Sequence, residues 1–167
     1  MSNKQQTSLI KILVLLFVII SVGCVHQKQI KNENLYVSYF TSAEAMYEKI
    51  QVTDSKLSHT YFDDKNNKCA NWIAQSPCWL DQELTTVERT LSQKEIDELI
   101  NLINTTHFLE LNTTYGGAKE GQRYYAEVIS VKINGQEKTV TYQSFPEASP
   151  PPEAFTTLRK TIEGLVK

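Results

Sequence analysis

The feature that most constrains this chain is a short apolar run near its N-terminus. Residues 12–25 form a run of 14 residues that only Ser21 and Gly23 interrupt, and Lys4 and Lys11 precede it. A helix that crosses a bilayer needs about 20 apolar residues. Basic residues before a shorter apolar run that ends on small residues are typical of a secretory signal. We therefore expect the rest of the chain to fold outside the cytosol.

The end of this run, Ser21-Val22-Gly23-Cys24, resembles the lipobox of bacterial lipoproteins. The resemblance implies that residues 1–23 are a signal peptide and that Cys24 becomes the first residue. It also implies fatty acyl chains such as palmitate on Cys24, as a diacylglycerol on the sulfur and often a third chain on the amine. Because each buried CH₂ contributes about 0.8 kcal/mol, two or three chains would anchor the protein stably. An ordinary secretory signal and a short uncleaved anchor are the alternatives.

Two features near Cys24 concern the location of the exported protein. Val25 stands where Asp would favour retention at the inner membrane, so resemblance to Gram-negative lipoproteins implies the outer membrane, facing the periplasm. Residues 24–34 are polar and predict a flexible tether, which would hold the domain about 15–20 Å from the lipid. Residues 35–167 have a length that suits a single domain.

Charge excludes one class of partner. Removing residues 1–23 leaves 15 Lys and Arg against 19 Asp and Glu, a formal net charge of −4, and the chain has no basic cluster. Nucleic-acid binding therefore has no electrostatic support. The membrane contact that we expect is the lipid on Cys24.

The cysteine count is informative. Lipidation takes Cys24 out of the count and leaves Cys69 and Cys78 as a pair in an oxidising compartment, where disulfides form. Eight residues separate them and no Cys-x-x-Cys motif is present, which disfavours a metal site. We predict a disulfide between Cys69 and Cys78.

Alternating polarity predicts most of the strands. The predicted strands are residues 35–40, 47–52, 57–62, 83–91, 124–133 and 138–142. A helix that begins at Ser42 is an alternative to the second strand, because Ala, Glu and Met favour helices. Asn134-Gly135 predicts a hairpin turn, and residues 115–121 read as a flexible loop.

Two amphipathic helices are predicted. Ser92 and Glu95 match a capping box at the start of the first helix. The apolar stripe of this helix comprises Ile96, Leu99, Ile100 and Ile103, and that of the second, after three prolines, comprises Phe155, Leu158, Ile162 and Leu165. The predicted fold is an α+β two-layer sandwich, in which two amphipathic helices cover an antiparallel sheet.

Residues 35–166 also resemble a domain of unknown function in small bacterial lipoproteins. The residues that carry this second resemblance are Thr90–Leu99, Phe108–Tyr115, Val131–Gly135, Lys138–Tyr142 and Pro152–Leu165. The resemblance implies a fold, and it brings no activity or catalytic residue.

Dispersed polar residues raise the possibility of an enzyme. His59, Asp63, Asp64 and His107 are of the types that ligate metals. They show no local motif, and neither a Gly-x-Ser-x-Gly sequence nor a phosphate-binding loop occurs. We therefore expect no catalytic residue, no metal site and no cofactor. An envelope hydrolase or metal-dependent enzyme built from these residues is the alternative.

The segment between the paired cysteines is the most promising binding surface. Trp72 lies inside it and Trp79 directly follows it. Large aromatic side chains on a constrained loop favour recognition, because little side-chain entropy is lost on binding. Alternatively, both indoles fold back onto the sheet. The sequence thus favours a lipid-anchored, non-enzymatic envelope protein that binds a protein or another envelope component.

Overall fold

The computed structural model describes residues 34–167, so the expected signal peptide, Cys24 and the tether as far as residue 33 lie outside this range. The described residues form an α+β fold, as predicted. Its elements are β1 (Tyr36–Ala43), β2 (Met46–Thr53), β3 (Lys56–Phe62), β4 (Leu84–Thr90), α1 (Gln93–Thr105), β5 (Thr114–Gly116), β6 (Tyr125–Ile133), β7 (Gln136–Ser144) and α2 (Glu153–Gly164). Within residues 34–167, neither helix is long and apolar enough to cross a membrane.

The seven strands form one sheet in the order β4-β3-β2-β1-β6-β7-β5. Tight hairpins join β1 to β2, β2 to β3 and β6 to β7. The last two turns use Asp54 (φ 54°) and Asn134 (φ 51°), residue types that tolerate the left-handed conformation required there. The hairpin at Asn134 is therefore confirmed. The helix considered from Ser42 is wrong, because Ala43 pairs directly with Met46 across the first hairpin.

The sheet is mixed, which corrects the prediction of an antiparallel sheet. β5 pairs in parallel with β7, with Thr114 opposite Thr141, and it occupies part of the segment predicted as a loop. Gly116 ends β5 with φ 72°, and a Cβ there would lie 2.4 Å from the Gln143 carbonyl oxygen. β5 has three residues, too few for alternation to reveal a strand in the sequence. The position of β5 is set instead by the close approach of the Gly116 backbone to the backbone of β7.

Strands and helices contribute to one buried apolar cluster. Buried positions alternate in β2, β6 and β7, as predicted, whereas β1 at the centre of the sheet buries the consecutive residues Val37, Ser38 and Tyr39. The strand members are Val37, Tyr39, Ile50, Val52, Leu57, Ile129, Val131, Ile133, Val140 and Tyr142; the helix members are Ile96, Leu99, Ile103, Phe155, Leu158 and Ile162. The capping box is also confirmed, since the Ser92 side chain accepts from the Glu95 amide and the Glu95 carboxylate accepts from the Ser92 amide.

Candidate functional site

The loop between Cys69 and Cys78 is closed at its base. The two sulfur atoms lie at disulfide-bonding distance, the Cα atoms are 5.7 Å apart, and both side chains are buried. The Asp64 carboxylate accepts hydrogen bonds from the amides of Lys68 (2.9 Å) and Cys69 (3.1 Å). The geometry is compatible with the predicted disulfide, and the entry to the loop is fixed independently by Asp64.

Trp79 attaches the end of this loop to the sheet. The Cys78 amide donates to the Glu44 carbonyl oxygen at 2.8 Å, and the Trp79 indole N–H donates to the Ala43 carbonyl oxygen at 3.1 Å. The Trp79 ring also packs edge-on against Tyr47, with 4.9 Å between ring centroids. This indole folds back onto the sheet and holds the end of the loop against β1 and β2.

Trp72 is placed differently. Its side chain is 43% exposed, and its indole N–H donates to the Ser76 carbonyl oxygen at 2.7 Å within the loop. The next residue, Ile73, is 98% exposed. An apolar side chain almost fully in water gains nothing from the fold itself. Of the two tryptophans, Trp72 is thus the one available for contact with a partner.

Leu80, another exposed apolar residue, is held in place by Glu83. The Glu83 carboxylate accepts from the Leu80 amide at 2.8 Å and lies 2.6 Å from the Lys68 Nζ. Hydrogen bonds from Lys68 and then from the Leu80 amide lower the pKa of Glu83 below its ordinary value. The ionised carboxylate therefore joins both ends of the disulfide loop.

The start of β6 completes this end of the molecule. The Arg123 guanidinium forms an ion pair with Glu44 and donates to the Gln75 carbonyl oxygen at 3.3 Å, while the Tyr125 hydroxyl donates to Glu44 at 2.9 Å. A hydrogen bond from its own amide, then that from Tyr125, and the charge of Arg123 lower the pKa of Glu44. The β1–β2 turn, the disulfide loop and the segment before β6 are thus bonded to one another.

Exposed apolar side chains concentrate on these three segments. Within residues 34–167, seven large apolar side chains are exposed, and six of them lie here. We call these six residues the tip surface: Met46, Trp72, Ile73, Leu80, Tyr124 and Tyr125. The sequence singled out Trp72 but not Met46 or the two tyrosines as part of a surface. The missing information was the antiparallel pairing of β1 with both β2 and β6, which brings distant segments together.

The residues considered for catalysis lie in separate surroundings, and His59 Nε2 is buried without a hydrogen-bond partner among the described residues. His59 Nε2 lies 3.2 Å from Glu48 Oε1, and its ring stacks on Tyr61 with 4.7 Å between centroids. Asp63 forms an exposed ion pair with Lys65 at 3.1 Å. These contacts place His59 on one face of β3 and Asp63 in the turn that follows.

His107 lies after α1, at φ 54°, and its Nδ1 is 3.1 Å from the carboxylate of Glu110. Asp64, as described above, holds the loop amides. Within residues 34–167, no three His, Cys, Asp or Glu side chains converge in a way that could hold a metal ion. The structure therefore does not bring His59, the Asp63–Asp64 pair and His107 into one metal-binding group.

A polar cluster that the sequence did not reveal joins α2 to the sheet. Arg159 Nη1 lies 2.7 Å from Glu127 Oε2, and the Tyr39 hydroxyl donates to the same oxygen at 3.5 Å. Burial, and next the charge of Glu127, raise the pKa of Tyr39 above its ordinary value. The ion pair gives Arg159 Nη1 and Glu127 a partner between a helix and a sheet, whereas Arg159 Nε is buried without a hydrogen bond from the described residues.

A cleft of about 340 Å³ opens beside the strand at the β4 edge of the sheet. Its lining residues are Leu57, His59, Tyr61, Val87, Glu88, Arg89, Leu165, Val166 and Lys167. Four of these nine residues are aliphatic and the others are aromatic or charged, among them the histidine that the sequence marked as a candidate.

Comparison with known proteins assigns no family. No protein-family model matches the chain, and no curated protein matches it in sequence. What this protein does must therefore follow from the chemistry of its own surfaces.

Proposed function

We propose that this protein is a lipid-anchored, non-enzymatic envelope protein that binds a protein partner through its tip surface. The observation that carries the proposal is the concentration of exposed apolar side chains: six of the seven in residues 34–167 lie there. Scattered single apolar residues are normal on a monomer, whereas a group of them marks an interaction site. Aromatic residues such as Trp72 and Tyr125 are also the types that dominate binding energy at interfaces.

The fixed base of the tip surface favours binding. Trp79, Glu83 and Glu44 bond the three segments together, as described above. A partner that contacts Trp72 and Ile73 would therefore order little additional backbone, which lowers the entropic cost of association. The cations here, Lys68 and Arg123, are paired with carboxylates. Neutralised charge with exposed apolar residues suits a protein partner better than an anionic polymer.

Anchoring would place this surface at the membrane. In the proposal, acyl chains on Cys24 hold the protein in the outer membrane, facing the periplasm, and residues 24–34 tether the domain. The order of signal, cysteine and polar segment in the sequence supports this arrangement. The tether would let the tip surface search for a partner within a short distance of the lipid.

We further propose that the domain is a two-layer sandwich. The buried stripes of α1 and α2 belong to the same apolar cluster as alternate residues of the central strands, which supports one helical layer against one face of the sheet. In that arrangement, the tip surface lies at the end of the strands and is free of helical cover.

Site-specific crosslinking tests the binding proposal. A photo-crosslinking amino acid replaces Ile73, and in a matched control it replaces Lys94, whose side chain is 85% exposed on α1. In native envelopes we expect position 73, but not position 94, to capture one defined protein. The proposal would be wrong if both positions captured the same mixture, or if position 73 captured nothing while the protein remained folded and membrane-bound.

A substitution then measures the contact. Ile73→Asp removes apolar contact without disturbing the core, because the side chain is exposed. We expect the captured complex to weaken at least tenfold with an unchanged melting temperature. Lys94→Asp, the control, should leave the affinity within twofold.

A further inference from the structure

Val87 is the seventh exposed large apolar residue, and it lies apart from the tip surface. Its side chain is 52% exposed at the centre of β4, the seven-residue strand at one edge of the sheet. Within residues 34–167, no strand pairs with the outer side of β4, so its outward N–H and C=O groups lack a partner strand there. Such an edge can accept another strand through main-chain hydrogen bonds.

The register shows which backbone groups face outward. The Leu91 amide donates to the Ser55 carbonyl oxygen at 2.8 Å, so these two residues form a hydrogen-bonded pair. Such pairs recur at every second residue of an antiparallel ladder. Val87, two pairs further along and opposite His59, therefore directs its backbone groups towards β3. The amides and carbonyls of Thr86 and Glu88 point away from the sheet.

We propose that β4 pairs with β4 of a second copy of this chain, antiparallel and about a two-fold axis at Val87. In this register Thr86 of each copy exchanges two hydrogen bonds with Glu88 of the other. Val87 lies opposite Val87, and Thr85 lies opposite Arg89. The proposal concerns a surface other than the tip surface and does not depend on the tip's function.

Self-complementarity selects this register. A two-fold axis at Val87 pairs all seven residues of β4 and sets no like charges directly opposite each other. An axis at Glu88 would place two carboxylates face to face, which is unfavourable in a sheet. An axis at Thr86 would leave Arg89 and Thr90 without a partner. The axis at Val87 alone combines full pairing with contact between the two exposed apolar side chains.

The cleft beside β4 supports the same occupant. Val87 shares this cleft with the apolar residues Leu57, Leu165 and Val166, and Glu88 and Arg89 flank it on the strand edge. A second β4 strand would extend the sheet past Val87 and cover the open side of this cleft. The two-fold axis would place one cleft on each side of the Val87 pair, and apolar surface on both copies would leave water.

Cysteine crosslinking of the full-length chain in its native membranes tests the register. Opposed residues of a non-hydrogen-bonded pair have Cα atoms about 4.5 Å apart, within the range for a disulfide. Under mild oxidation, Val87→Cys should therefore form a covalent dimer of the chain. Thr85→Cys is the matched control on the same face of β4. In this register its two Cα atoms lie about 14 Å apart, so we expect no crosslink.

A proline substitution on β4 provides a second, independent test of the pairing. Thr86→Pro removes an outward amide and leaves the ladder to β3 intact, as edge strands tolerate. Combined with Val87→Cys, it should abolish the dimer and keep the circular dichroism spectrum. Three results would overturn the proposal: no Val87→Cys dimer in a folded protein, equal crosslinking of Thr85→Cys and Val87→Cys, or a crosslink from position 87 to a different protein. The last would assign the edge to a heterologous strand.

Discussion

The guanidinium of Arg89 donates two hydrogen bonds to the carbonyl oxygen of Leu165, from Nε at 3.2 Å and from Nη2 at 2.7 Å. Nη2 also lies 2.7 Å from Glu95 Oε1. One side chain on the edge strand therefore holds the end of α2 and the start of α1. The last carbonyls of a helix lack partners within it, so Arg89 supplies a partner that α2 could not supply itself.

Replacing Arg89 should loosen this junction. We expect Arg89→Met, which keeps much of the apolar stem, to lower the free energy of unfolding by about 1–2 kcal/mol, because a charged donor to a half-exposed carbonyl is lost. Lys94→Met, on the exposed face of α1, is the control and should change stability by less than about 0.5 kcal/mol. Urea unfolding measures both. Equal effects of the two substitutions would contradict the role given to Arg89.

The capping box should make stability depend on pH. Hydrogen bonds from Arg89 and Ser92 lower the pKa of Glu95 from 4.5 to about 2. A carboxyl whose pKa is lowered by folding stabilises the folded state above its unfolded pKa, and this contribution is lost as the pH falls through its folded pKa. Glu95→Gln should thus have a lower melting temperature than the parent chain at pH 7. The difference should shrink between about pH 4.5 and pH 2, and a difference constant across that window would refute the prediction.

The proposed disulfide should make a measurable contribution to the free energy of unfolding. Cys69 and Cys78 are nine positions apart, and on the chain-entropy model closing so short a loop contributes about 2.7 kcal/mol. We expect the variant with both residues changed to Ser to lose about 2–3 kcal/mol in urea unfolding. Thiol titration of the unfolded parent chain provides the control, because Cys69 and Cys78 should react only after reduction. Free thiols at both positions in the unreduced parent chain would contradict the predicted disulfide.

Three glycines give a graded test of the backbone. Gly116→Ala meets both a positive φ and a Cβ contact at 2.4 Å with the Gln143 carbonyl oxygen, whereas Gly135→Ala meets a positive φ in open space. Left-handed conformation costs a non-glycine residue about 1–2 kcal/mol, so Gly135→Ala should lose about that amount and Gly116→Ala more. Gly164→Ala, with an ordinary φ and no neighbour within 4 Å, should be neutral or stabilising by up to about 1 kcal/mol. Thermal melts should show this order; a loss at Gly116→Ala no larger than that at Gly135→Ala would contradict the account of β5.

Local patterns predicted most of the elements, because their causes are local. Alternation at Ile129, Val131 and Ile133 identified β6, and the Asn134-Gly135 pair identified the turn after it. Ser92 and Glu95 marked the start of α1, where the capping box forms within four residues. In each case the residues that decide the structure are neighbours in the chain.

What the sequence did not reveal depends on contacts between distant residues. The parallel pairing of β5 rests on the approach of Gly116 to Gln143, which no local pattern encodes. The tip surface likewise needs the bonds from Glu44 to Tyr125 and from Trp79 to Ala43, which join segments tens of residues apart. The two tryptophans looked equivalent in sequence, and only the position of the sheet distinguishes the supporting Trp79 from the exposed Trp72.

The mass of the intact protein isolated from its native membranes tests the central claim, an anchored domain outside the cytosol, most directly. Our account predicts a chain that begins at Cys24 and carries the added mass of two or three acyl chains. Cys24→Ala should abolish both the cleavage and the added mass. An unmodified chain that still contains residues 1–23, recovered from the cytoplasm, would contradict the account.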